Sequence, residues 1–169
     1  SLNSDYIEDI YLDSQGVIWT THWSGGGITE YNPDSGTFIR YINDPSDPES
    51  ILSQETGSIV EDVTGDIWVG GRQGLSRLNR ETGKFRRYTH DPEDPGSLSD
   101  NEVRGLYVDK GGTLWVATGM PWSPDTRGGL NRYDPATDSF ERFMHDPDDP
   151  KSISNNKVRA MYEDSRGNF

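Results

Sequence analysis

The sequence predicts an all-β protein assembled from repeated four-stranded antiparallel sheets. Three observations lead there: a phrase that recurs about every 50 residues, turn residues that cut the chain into short apolar runs, and a composition poor in aliphatics but rich in rings. Only 30% of the 169 residues are hydrophobic, and adding the 19 glycines gives roughly 41%, short of the ~45–50% of ordinary globular chains. That disfavours a conventional domain of helices around an aliphatic core. Disorder is disfavoured too, because five Trp, eight Tyr and five Phe can build a core from flat rings.

The repeat is plain when the chain is aligned with itself. Trp19, Trp68 and Trp115 each follow an aliphatic residue and stand six positions after an acid (Asp13, Asp62, Asp109), with Gly16, Gly65 and Gly112 between. Each copy continues through Gly27-Ile28, Gly74-Leu75 or Gly129-Leu130 to a phenylalanine (Phe38, Phe85, Phe140). It closes with Asp-Pro-x-Asp-Pro-x-Ser, as in Asp44 to Ser50, Asp91 to Ser97 and Asp146 to Ser152. Counted from Ser1, Ser50, Ser97 and Ser152, the units span 1–49, 50–96, 97–151 and a truncated 152–169.

Within each unit the first strand runs through residues such as Ile7 to Leu12 or Val103 to Val108. The second carries the Trp, the third follows the Gly-Ile or Gly-Leu pair, and the fourth starts at the Phe. Asp-x-x-Gly turns the first strand into the second, while Asn32 to Gly36 and Glu81-Thr82-Gly83 turn the third into the fourth. Four-stranded sheets at this period are the sign of a β-propeller, whose blades pack face to face around an axis. The first strand is then innermost, and its middle position is small in every copy: Asp9, Ser58, Gly105 and Ala160. Three blades and the start of a fourth do not close a ring, since closure takes at least about four blades. The expected partners are other copies of the chain or the missing blades of a parent propeller.

The phrases Glu61-Asp62-Val63-Thr64-Gly65-Asp66-Ile67-Trp68-Val69-Gly70 and Gly74-Leu75-Ser76-Arg77-Leu78-Asn79, followed by the Asp-Pro loop, resemble two-component regulator propeller repeats over essentially the whole chain. The resemblance implies a seven-bladed propeller in the extracytoplasmic sensor region of a hybrid histidine kinase. It implies ligand sensing there, often of oligosaccharides, in the periplasm or on the extracellular face. No kinase, receiver or DNA-binding segment accompanies the repeats, so signalling output does not reside in these residues.

Charge and composition limit the partners further. With 29 acids against 16 bases the net charge is −13, which repels phosphate backbones and anionic lipid, so nucleic acid and direct membrane contact are not expected. Cysteine is absent, which removes disulfides and thiolate metal sites. No apolar run approaches ~18 residues, and Ser1-Leu2-Asn3-Ser4 lacks a basic and apolar leader; the chain reads as soluble, and as processed or excised.

Residues that recur in every blade serve blade geometry, because a ligand meets the blades asymmetrically. Trp19, Trp68, Trp115, Phe38, Phe85 and Phe140 are therefore assigned to the core, and Arg40, Arg87 and Arg142 to pairs with acids on the outer strand. The Asp-Pro loops lack the glycine-centred alternation of a calcium loop, and His22, His90 and His145 lack metal-ligand spacing, so neither metal nor cofactor is expected. The Asp-x-x-Gly-x-x-Trp phrase is similar to the sialidase Asp-box but differs in spacing, and no nucleophile constellation or phosphate loop appears.

The variable part is the loop between second and third strands, predicted to lie on the same face as the Asp-Pro crossovers. It reads Thr21 to Gly26 in the first copy and Gly71-Arg72-Gln73 in the second. In the third it grows to include Met120 to Arg127. His22, Trp23, Arg72, Gln73, Trp122 and Arg127 are the candidate ligand residues: indole plates flanked by donors suit a sugar. The predicted function is a non-catalytic sensing module that binds an oligosaccharide; the alternatives are a protein-interaction or structural scaffold and, third, a polysaccharide-active enzyme. Open blade faces predict association in solution. Light scattering is expected to read a defined oligomer or heterogeneous aggregate, and a well-folded monomer would contradict the open-edge argument.

Overall fold

A computed structural model describes residues 2, 4–124 and 126–169; Ser1, which opens the first repeat, and Asp125, in the long third loop, lie outside the described residues. Among the described residues twelve strands form three antiparallel sheets, each in simple meander order. The first holds β1 (Asp9–Leu12), β2 (Ile18–Thr21), β3 (Ile28–Asn32) and β4 (Thr37–Tyr41). The second holds β5 (Thr56–Glu61), β6 (Ile67–Gly71), β7 (Gly74–Asn79) and β8 (Lys84–Tyr88). The third holds β9 (Val103–Val108), β10 (Leu114–Thr118), β11 (Gly129–Asp134) and β12 (Ser139–Phe143). The predicted all-β blade architecture is what forms, and the three sheets do not close a ring.

The recurring acid explains the recurring tryptophan. One carboxylate oxygen of Asp13 accepts the amides of Gln15 and Val17 at 2.9 Å, which holds the turn from β1 to β2, and the other accepts the Trp19 indole N–H at 2.8 Å. Asp62 holds Thr64 and Trp68 in the same way, and Asp109 holds Thr113 and Trp115. Gly16, Gly65 and Gly112 take the positive φ that these turns require. Trp19 and Trp68 are thereby fixed between their own sheet and the next. Trp19 sits in a core with Ile59, Ile67 and Phe85, and Trp68 in a second core with Leu114, Val116 and Tyr133.

Each phenylalanine packs backwards, onto a tyrosine of the preceding sheet: Phe85 meets Tyr41 and Phe140 meets Tyr88, both with ring centres 5.5 Å apart. Phe38 departs from its core assignment. No preceding sheet lies against it among the described residues, and it is 42% exposed, stacked on Tyr31. Trp115 is half-buried, with Phe169 stacked at 4.8 Å.

Two further expectations are corrected. Arg87 and Arg142 do not pair with acids of the outer strand; they reach the crossover that precedes their own blade. Arg87 donates to the carbonyls of Asp47 and Ser50 at 2.8 Å, and Arg142 to those of Asp94 and Ser97. Glu49 and Gly96 carbonyls accept the Phe85 and Phe140 amides at 2.7 Å. The Asp-Pro segments therefore lie along the outer strands β8 and β12 instead of sitting with the hairpins of one face, and they occupy edges that would otherwise offer unpaired backbone. Their acids are spent locally: Asp44 accepts the Ser46 amide at 2.9 Å and Asp91 that of Glu93.

Residues 152–169 repeat the turn chemistry, with Asp164 accepting the Arg166 and Asn168 amides, but carry no strand among the described residues, because nothing pairs with 157–164. The segment still passes close to β9: a side-chain carbon on Gly105 would come within 2.9 Å of the Arg159 carbonyl, which accounts for the small residue there. The turns between first and second strands touch the next blade by polar contacts at two junctions and by an apolar one at the junction between them. Ser14 donates to Glu61 and the Lys110 amide to Glu163, each at 2.8 Å, while Val63 lies against Gly112 at the intervening junction.

Removing the organising carboxylate tests this account. Asp62→Ala is expected to cost about 2–3 kcal/mol, since it leaves a buried indole N–H and turn amides without acceptors, and urea unfolding measures it. Burial pushes the Asp13 carboxyl up, but the Trp19 indole, the Val17 and Gln15 amides and Arg80 outweigh it and hold it below the ordinary carboxylate range. A depressed native value contributes stability that is full above the unfolded value and lost as pH falls through the native one. Acid unfolding is therefore expected below about pH 4, and Asp13→Asn should flatten that part of the curve.

Candidate functional site

The six candidates stand on one end of the sheets. Pairing of Thr56 with Gly71, and of Thr118 with both Val103 and Gly129, puts the starts of inner strands β5 and β9 beside the hairpin tips that carry the variable loops. The candidates do not form one constellation there.

His22 is wholly buried behind that surface. Its Nε2 lies 3.2 Å from the Thr20 hydroxyl and 3.1 Å from that of Thr29, its Nδ1 is 3.2 Å from the Tyr6 carbonyl, and its amide donates to Thr56. It ties the first sheet to the second. Trp23 lies across strand β5, where a side-chain carbon at Gly57 would come within 3.3 Å of the ring. The Arg104 guanidinium sits 4.4 Å from the Trp23 ring centre, so residues of three successive blades meet: Trp23, Gly57 and Arg104.

Arg72 and Gln73 line a polar hollow of about 470 Å³ with Asn43, Ser53, Gln54 and Glu55. Arg72 donates to Glu55 at 2.9 Å and approaches Glu102 of the next blade at 3.7 Å. Arg104 stands 3.6 Å from the same Glu102, and burial pushes the Glu102 carboxyl above its ordinary range against the pull of Arg72 and Arg104. Arg127 is exposed and lies 3.7 Å from Asp100. Trp122 is 73% exposed, apart from this hollow, with the Arg159 guanidinium 5.9 Å from its ring centre.

Glu102 and Arg104 were absent from the sequence candidates, although a signal existed. The position before the small inner-strand residue reads Glu8, Gly57, Arg104 and Arg159, a variation that blade geometry does not ask for. Glu102 Oε1 and Arg104 Nε and Nη1 are buried without hydrogen-bond partners, so this junction has unused donor and acceptor capacity.

Residues 97–120 match the family described as two component regulator propeller. That match bears out the resemblance. The same phrase recurs in the other copies. Two similar solved structures are extracellular domains from B. thetaiotaomicron, each described as a hybrid two component system. One has a TM-score of 0.70 at 21% identity over 95% of this chain and 19% of its own, and the other 0.53 at 21% over 99% and 32%. Virginiamycin B lyase from Staphylococcus aureus is also similar, with a TM-score of 0.58 at 17% identity over 84% of this chain and 42% of its own. The chain thus spans about a fifth and a third of the length of the two extracellular domains, and at these identities the likeness establishes the fold. No curated protein matches.

Gly57→Leu tests the three-blade contact. A side chain there is expected to lift Trp23 from Arg104, shifting the Trp23 ring resonances in NMR spectra while those of Trp68 stay in place; unchanged Trp23 signals would refute the contact.

Proposed function

We propose that this chain is a non-catalytic binding module of an extracytoplasmic sensor propeller and that it recognises an oligosaccharide at the hairpin end of its blades. The observation that carries the proposal is the hollow of about 470 Å³ at the Arg72–Gln73 hairpin, whose amide, hydroxyl, carboxylate and guanidinium groups both donate and accept, as sugar hydroxyls do. The extracellular placement of the two propeller relatives supports the location, and the family match at 97–120 supports a role in two-component regulation.

A second reading, a protein-interaction platform, draws on the exposed indole of Trp122, since isolated aromatic anchors also serve as interface hot spots. A glycan array separates the readings. Binding that falls at least about tenfold in Arg72→Ala plus Gln73→Ala, the loss of one or two hydrogen bonds to a charged group, is the expected result. Absence of any glycan signal would favour the platform, and release of reducing ends would make the chain an enzyme.

A further inference from the structure

Most basic side chains in this acidic chain have a defined counterpart. Arg72, Arg77, Arg80 and Arg132 reach carboxylates, and Arg87 and Arg142 are occupied by backbone carbonyls. Two cations differ. Among the described residues no carboxylate lies within 4.0 Å of Lys157 or Arg159. Lys157 donates its ammonium to the Ser123 carbonyl, a neutral acceptor, and Arg159 is exposed with its guanidinium beside the Trp122 ring. Lys157 also lines a hollow of about 190 Å³ with Pro124, Thr126, His145, Asn155 and Asn156. An exposed indole of the long third loop thus lies beside two cations of the 152–169 segment that have no carboxylate within 4.0 Å among the described residues, in a molecule with net charge −13.

We infer that Trp122, Lys157 and Arg159 form a second subsite, separate from the Arg72 hollow, that takes an acidic sugar ring: the indole carries the apolar face of the pyranose, and Arg159 and Lys157 hold its carboxylate. The inference rests on the reading of the chain as a glycan-binding module but uses none of the residues that line the hollow. An anion is the ligand that these two charges lack, and the planar fork of Arg159 matches a carboxylate. A neutral sugar would use the indole and leave both charges uncompensated.

Trigalacturonate, its fully methyl-esterified form, a sulfated trisaccharide and tetraglutamate are titrated into the chain and followed by tryptophan fluorescence and calorimetry. Trigalacturonate is expected to bind, to weaken with added NaCl, and to weaken at least about tenfold in Lys157→Gln plus Arg159→Gln and again in Trp122→Ala. Stronger binding of the sulfated sugar with the same variant pattern keeps the acidic-sugar subsite and identifies sulfate as the anion it prefers. The inference is overturned if the ester binds as well as the acid, if tetraglutamate binds equally, or if the acid binds with no loss in the Lys157, Arg159 and Trp122 variants. In any of these cases, neutral-glycan binding sensitive to Arg72→Ala would leave the proposed function standing; no glycan binding of any kind would remove both. Circular dichroism and the Trp68 resonances verify that each variant is folded.

Discussion

The fold depends on one carboxylate used twice. In each blade an aspartate spends one oxygen on the amides of the tight turn and the other on an indole N–H six residues on, so the residue that bends the chain also aims the largest core side chain. A chain with few aliphatics can build a core this way because the ring's one polar atom is satisfied on the spot and the rest of its surface is free to be buried. Asp164 uses the same turn chemistry, accepting the Arg166 and Asn168 amides and, with its second oxygen, the Asn168 side-chain amide.

What could be read from the sequence follows from this locality. Asp13 and Trp19 interact across a handful of residues, so a spacing rule captured them, and strand boundaries set by turn residues were equally legible. Arg87 and Arg142 were misassigned because their partners lie about 40 residues upstream on a neighbouring module, and a long flexible side chain gives no local hint of where it reaches. The same distance hid the course of the Asp-Pro segments along β8 and β12. Phe38 was misjudged because equivalence in a repeat is not equivalence of surroundings: the same ring is buried only where a tyrosine of the preceding sheet receives it.

At the hairpin end the residues that differ between copies divide into separate jobs. His22 belongs to the joint between two sheets; Trp23 and Arg104 make a contact across three blades that the bare backbone at Gly57 allows; Arg72 and Gln73 border a polar hollow. Listing these loops as one variable region merged them, because proximity along a hairpin says nothing about which neighbouring blade a side chain will meet. Arg104 lies on the inner strand, beside its small middle residue Gly105, and Glu102 stands just before that strand, so both belong to the regular part of the repeat rather than to a variable loop.

The clasp of Arg87 on the crossover of residues 44–50, and of Arg142 on 91–97, also bears on how such a molecule is built and rebuilt. The rim of the second and of the third blade is finished by a piece of chain made before it, so a growing polypeptide already holds the clasp's acceptor loop when the arginine emerges, and assembly has a direction. A recombination joint placed at Ser50 would part the loop from the arginine that grips it. One placed just before Asp44 would carry both together, and the transplantable cassette is therefore out of phase with the visible sheet.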